Sequence, residues 1–184
     1  MGSLPRSILL STARCRLGFA KCDIAPEILA HVTDERFPSQ LPWAQANTLE
    51  AVASRLARLH ERWDEASAFC FAARGRSNGN YLGLVTITNT EPDVWAIAYM
   101  IAPSEWGRGY ATECSQCILD LGFERLRASR IWAGAAGWNA SSLRVAEKLG
   151  MRHFRSNPRG YQIDGRTIPT EDYEITVDEW GITT

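Results

Sequence analysis

Residues 94–113 limit what this chain can fold into more than any other stretch. Val94 to Ile101 is an apolar run of strand length, and Pro103 stops it. Trp106-Gly107-Arg108-Gly109-Tyr110-Ala111-Thr112-Glu113 then leads at once into helix-forming sequence. A strand that turns through glycines into a helix sets backbone N–H groups at the mouth of the turn, where the helix dipole adds partial positive charge. Phosphate oxygens suit such a cradle. Glycine turns also open helices for purely structural reasons. This one is neither a full GxGxxG nor a Walker loop, which would need Gly-Lys followed by Ser or Thr.

A second segment begins 27 residues after Thr112: Asn139-Ala140-Ser141-Ser142-Leu143-Arg144-Val145-Ala146-Glu147-Lys148-Leu149-Gly150. Asn139 and Ser142 stand three apart at a helix start, where each either caps backbone N–H groups or projects a polar atom into a groove. Leu143, Ala146 and Leu149 form the apolar face, and Gly150 closes the helix.

Around these segments the pattern is a mixture of strands and helices. The expected elements are a strand at 14–19, a helix from Asp23 with Pro26 in its first turn to about Arg36, and a loop Phe37-Pro38-Ser39-Gln40-Leu41-Pro42-Trp43 shaped by two prolines. Asn47-Thr48-Leu49-Glu50 reads as a capping box, after which Leu49, Val52, Leu56, Leu59 and Trp63 recur at helical spacing. Strands follow at 68–73, 81–88 and 94–101, the first two joined by an Asn78-Gly79 hairpin. Then come a helix at 111–126, a strand at 130–135, the helix 139–149 and a strand at 151–155. A hairpin through Ile163-Asp164-Gly165-Arg166 and a last strand at 173–177 complete the series. The fold class is α+β: a mixed, mostly antiparallel twisted sheet flanked by helices, in one domain over 1–184.

The 184 residues carry 20 basic and 21 acidic side chains. A formal charge of −1 argues against a general nucleic-acid binder. The distribution is uneven: residues 105–160 hold nine basic and five acidic groups, and 161–184 hold one and six. The positive middle either holds a polyanionic small ligand or consists of arginines on solvated helix faces. No apolar run approaches the ~18 residues a membrane span needs, and Ser7-Ile8-Leu9-Leu10 is too short for a signal-peptide core. A cytoplasmic location is expected. Five cysteines (15, 22, 70, 114 and 117) argue against a disulfide framework, and Cys114-x-x-Cys117 lacks a second ligand pair, so no metal is expected.

Together, the glycine turn and the Asn-x-x-Ser helix ending in Glu147-Lys148-Leu149-Gly150 resemble the acyl-CoA-binding core of the GNAT N-acetyltransferases. Trp106 to Glu113, Asn139 to Gly150, Asp172-Tyr173 and Glu179-Trp180 look like the RimJ/RimL-like branch, whose members acetylate protein α-amino groups or small-molecule amines. The resemblance covers about residues 93–180. It implies an acetyl-CoA-dependent N-acetyltransferase, acting as monomer or homodimer, with no metal, by direct attack in a ternary complex. A non-catalytic acyl-CoA-binding module of the same fold is the alternative.

Carried onto this sequence, the resemblance implies that Trp106, Gly107, Arg108, Gly109, Tyr110, Ala111 and Thr112 hold the CoA pyrophosphate through backbone N–H groups. Pantetheine lies along the strand edge Tyr99, Met100, Ile101, in a gap between that strand and the one at 130–135, with Asn139 bonding the pantetheine arm. A backbone N–H near Ile101 serves as oxyanion hole. The tyrosine that many relatives place seven residues after the asparagine is Ala146 here, so Ser142 is the candidate acid for the CoA thiolate. The matching strand carries no glutamate base; Glu91, Asp93, Glu105 or Asp172 acting through water remain. An α-amine, with a pKa of about 7.8, demands far less activation than a lysine amine at about 10.4, so a missing base leans toward a low-pKa acceptor. The acceptor is expected on the face opposite CoA, between Phe37, Leu41 and Trp43 and the hairpin at 161–170. The loop is equally readable as a cap on the core.

Overall fold

The computed structural model describes residues 3–163 and 165–183. Among them, strands β1 (Leu9–Ser11), β2 (Cys15–Phe19), β3 (Ala68–Gly75), β4 (Tyr81–Glu91), β5 (Val94–Ile101), β6 (Arg130–Ala136), β7 (Arg152–Ile163) and β8 (Arg166–Thr176) form one sheet. The helices are α1 (Ala25–Val32), α2 (Leu49–Asp64), α3 (Tyr110–Glu124), α4 (Ala140–Lys148) and α5 (Val177–Thr183). The spatial order is β1-β2-β3-β4-β5-β6-β8-β7. Only β5 and β6 run parallel, because α3 carries the chain across between them.

Side-chain alternation along the central strands divides the core in two. Phe69, Phe71, Val85, Ile87, Trp95 and Ile97 meet Cys114, Ile118 and Leu119 of α3 on one face. Cys70, Ala72, Leu84 and Met100 meet Ile28 of α1 and Val52 and Leu56 of α2 on the other. Burying each such large side chain is worth ~1.5–3 kcal/mol. The Cys-x-x-Cys pair falls on α3 as its spacing suggests, with Cys114 fully enclosed in the core. At the end of α2, Trp63 packs edge-on to Phe19 and Phe69 and donates its indole N–H to the Leu4 carbonyl.

The sequence expectations hold for β2 to β6 and for α2, α3 and α4 within a few residues. Thr48 caps α2 by accepting from the Ala51 amide at 3.1 Å. Four expectations need correction. The first helix ends at Val32 rather than Arg36, since Thr33 leaves the helix and Asp34 folds onto the Arg36 amide and guanidinium instead. β1 was not foreseen: it is three residues long with Leu9 60 % exposed, so no alternation marks it. The strand at 151–155 extends to 163 and the last strand begins at Arg166 rather than 173; Ile163 and Arg166 pair across the turn, in which Asp164 lies outside the described residues. Residues 177–183 form α5, whose Trp180 stacks on Phe123 at 5.5 Å.

Candidate active site at a split in the sheet

The β5/β6 ladder has three register pairs, Val94 with Arg130, Trp95 with Ile131 and Ala96 with Trp132, and then ends. β6 stays paired with β8 along its whole length. The two parallel strands therefore diverge beyond Ala96 and leave a wedge-shaped gap in the middle of the sheet. Backbone direction fixes what faces it. The Ala102 amide donates to Leu82 of β4, so alternation turns the amides of Tyr99 and Ile101 to the vacated edge. Ala98, on the face of α1 and α2, is exposed in the middle of this central strand.

α3 starts beside this gap. Gly109 opens it at φ 82°, a left-handed conformation that costs a residue with a Cβ about 1–2 kcal/mol, and no side chain caps the first turn. A Cβ on Gly107, at φ 78°, would meet open space. The turn is fixed from behind by residues distant in sequence. Arg14 donates to the Arg108 carbonyl at 2.9 Å, stacks over the Tyr110 ring at 4.5 Å and bonds Glu113. Thr12 and the Arg14 amide bond the same carboxylate. Burial pushes the Glu113 carboxyl up, but these donors outweigh it and hold its pKa below the usual range. Trp106, half exposed, donates its indole N–H to the Ile101 carbonyl at 2.7 Å, pinning the turn to the strand end.

Across the gap, Asn139 accepts from the Ser142 amide at 3.2 Å and so caps α4. Its capping reading is the one the geometry realises, and the amide nitrogen makes no bond among the described residues. The Tyr99 phenol reaches from β5 to α4, donating to the Ser142 carbonyl at 3.3 Å. Burial raises the phenol's pKa, and hydrogen bonding with Ser142 opposes it. On β6, Gly134 allows a close approach: a Cβ there would lie 2.7 Å from Asp172 Oδ1. Tyr161 donates to the Gly134 carbonyl at 2.6 Å, and burial, with Asp172 and Tyr99 nearby, pushes its pKa up to about 12.

The proposed bases separate clearly. Glu91 and Asp93 lie at the β4–β5 turn, at the opposite end of β5 from the gap. Glu105 pairs with Arg108. Asp172 alone of the four adjoins the gap, 1 % exposed, with Arg155 on Oδ2 at 2.6 Å and the Thr170 hydroxyl on Oδ1 at 2.9 Å. Of the loop residues, Phe37 is buried in the core with α1 and α2, so its place there is structural. Leu41 and Trp43 are half-buried at its margin, and the short 3-10 turn Pro42–Gln45 touches β7. In the sequence reading Arg14 carried no role, Tyr161 only opened the hairpin expected to face the acceptor, and Glu113 only ended the glycine-turn motif. The Arg14–Glu113 contact spans 99 residues, which no local spacing announces.

A split parallel pair with an uncapped helix start at its mouth makes an open edge of backbone amides beside an anion cradle. Comparison with known proteins places the chain more narrowly. A family profile described as Acetyltransferase (GNAT) domain matches residues 17–152. The chain belongs to the GNAT acetyltransferase family. It is 34 % identical over 87 residues to YkkB of Bacillus subtilis (strain 168), covering 46 % of this chain and 51 % of that one, so the likeness spans about half of the relative's length. It is 26 % identical over 131 residues to YjcK of the same organism, described as a probable N-acetyltransferase, covering 70 % and 71 %. RimJ of Mycobacterium smegmatis, solved with CoA-disulfide, superposes with TM-score 0.81 at 20 % identity over 94 % of this chain and 89 % of that one. A GNAT-family acetyltransferase of Bacillus anthracis gives 0.81 at 18 % over 93 % and 99 %. These structures share the fold. No helix of the described residues is long and apolar enough to cross a membrane.

Proposed function

We propose that the chain, as one domain, transfers the acetyl group of acetyl-CoA to a primary amine, a protein N-terminal α-amine or a small-molecule amine, by direct attack in a ternary complex. The observation that carries this is the end of the β5/β6 ladder after Ala96, with the open start of α3 beside it. In this reading the amides of residues 106–112 hold pyrophosphate, and the edge of β5 at Tyr99 to Ile101 holds pantetheine together with Asn139. The Ile101 amide polarises the thioester carbonyl. Ser142, whose carbonyl accepts from the Tyr99 phenol, supplies the proton to the departing thiolate.

Of the four candidate bases only Asp172 adjoins the gap, and both its oxygens are engaged. That supports an acceptor whose amine is substantially neutral near pH 7, such as an α-amine. It also favours the second reading, a non-catalytic acyl-CoA-binding protein. Incubation with acetyl-CoA and a broad panel of peptides and amines, with product masses and released thiol recorded, separates the two. Acetylated product with stoichiometric CoA release supports the transferase; binding of acetyl-CoA without product for any acceptor supports the binding module.

A further inference from the structure

Among the described residues Arg55 of α2 has no carboxylate partner. Its guanidinium carbon sits over the Trp43 ring, 3.9 Å from the centroid, and the group spends one donor on the Pro42 carbonyl at 2.7 Å. The side chain is half-buried, and burial together with nearby Arg58 pushes its pKa down. A desolvated cation that keeps a like charge as neighbour and no counter-ion is costly, and guanidinium groups in that condition are normally paired. Two acids on the same face of the sheet are already matched, Asp172 by Arg155 and Glu174 by Arg130 and Arg152.

Packing places Arg55 near the gap. Val52 and Leu56, which flank it on α2, pack with Cys70, Leu84 and Met100, and the Pro42–Gln45 turn that carries Trp43 touches β7, on the far side of the split. Cys70 pairs with Thr86, and Thr86 with Ala98. Ala98 is exposed and lies just past the last β5/β6 pair. A row of small side chains thus runs from the cluster under α2 to the split, on the face of α1 and α2. With Trp43 beside it and one donor on Pro42, the guanidinium keeps further N–H donors, which suit a carboxylate in the fork geometry.

We infer that Arg55 selects the acceptor by pairing with a carboxylate on it, so that the preferred amine belongs to an amino acid or to a peptide whose first residues are acidic. This rests on the acetyltransferase reading above. Steady-state kinetics on the full chain test it with matched acceptors: a short peptide amide with Glu against Gln at its second position, and a free amino acid against its carboxamide. The acid member of at least one pair should show kcat/KM tenfold or more above its neutral partner. Arg55→Gln, which keeps a donor for the Pro42 carbonyl, should abolish that preference through KM, with KM for acetyl-CoA within about twofold. Arg55→Lys should keep part of it. Wild-type protein that acetylates both members equally overturns the inference and leaves the transferase reading standing. Equal losses for both members in Arg55→Gln also overturn it, since the residue then only holds the Trp43 turn. Absence of transfer to every acceptor overturns the transferase reading, and the inference with it.

Discussion

The two positions that most sharply test the site are Ser142 and Gly109. Asn139, not the Ser142 side chain, caps α4, so loss of the Ser142 hydroxyl removes no cap. Ser142→Ala should lower kcat about tenfold, at the low end for a general acid because a thiolate leaves readily, and change stability by less than ~0.5 kcal/mol. Asn139→Ala should instead cost about 1 kcal/mol of stability. Melting temperature and kinetics on the same samples decide; unchanged kcat in Ser142→Ala would pass the proton to another group. Gly109 sits at φ 82°, and a Cβ there would approach Arg14 Nη2 to 3.4 Å. Gly109→Val strains the backbone and pushes a branched side chain at the Arg14 guanidinium that holds the turn. Its CoA dissociation constant should rise at least tenfold, ~1.4 kcal/mol. Calorimetry showing unchanged affinity, with circular dichroism intact, would remove the turn from the site.

At the level of elements, α3 is held in place by a strand turn that precedes it by about a hundred residues. Thr12 and Arg14 bring three donors to Glu113. Glu113→Gln should destabilise the fold by about 2 kcal/mol, the worth of hydrogen bonds to a charged group, and lower Tm by roughly 4–8 °C. Because the folded carboxyl is held below its ordinary pKa, its stabilisation is present above the unfolded carboxylate range near pH 4.3 and fades as pH falls through the folded value. The gap between wild type and Glu113→Gln should therefore narrow below about pH 4 in thermal melts; a constant gap would show that packing, not charge, links the elements. This clamp was illegible in the sequence, whereas α2 was plain, because Val52, Leu56 and Trp63 keep helical period and Thr48 precedes them. β7 failed for the opposite reason: Arg152 to Gln162 is mostly exposed, and Pro158 and Gly160 fall where its register breaks, so no alternation survives. The glycine turn and the Asn-x-x-Ser helix were legible as local motifs. Tyr161 and Arg55 were not, since each acquires meaning only from strands that the chain brings together later.

For the molecule as a whole, the split divides the sheet into two parts joined by a short seam. β4 and β5 share eight register pairs and β6 and β8 seven, while β5 and β6 share three. Opening of the β6-β8-β7 part therefore breaks fewer ladder bonds than any cut through the β2-to-β5 part, so its amides should exchange faster in the free protein. A ligand that lies along Tyr99 to Ile101 and reaches Asn139 bridges the seam. At a hundredfold excess over its dissociation constant it adds about 2.7 kcal/mol. For a chain of this length that is a rise of roughly 5–10 °C in Tm. In hydrogen exchange the slowing on adding acetyl-CoA should be concentrated in β5, β6, β8 and the start of α4, with β2 and β3 changed least. Slowing spread evenly over both parts, or a Tm rise without any change at β6, would mean that the ligand does not sit in the split. The gap would then be only a defect in strand pairing.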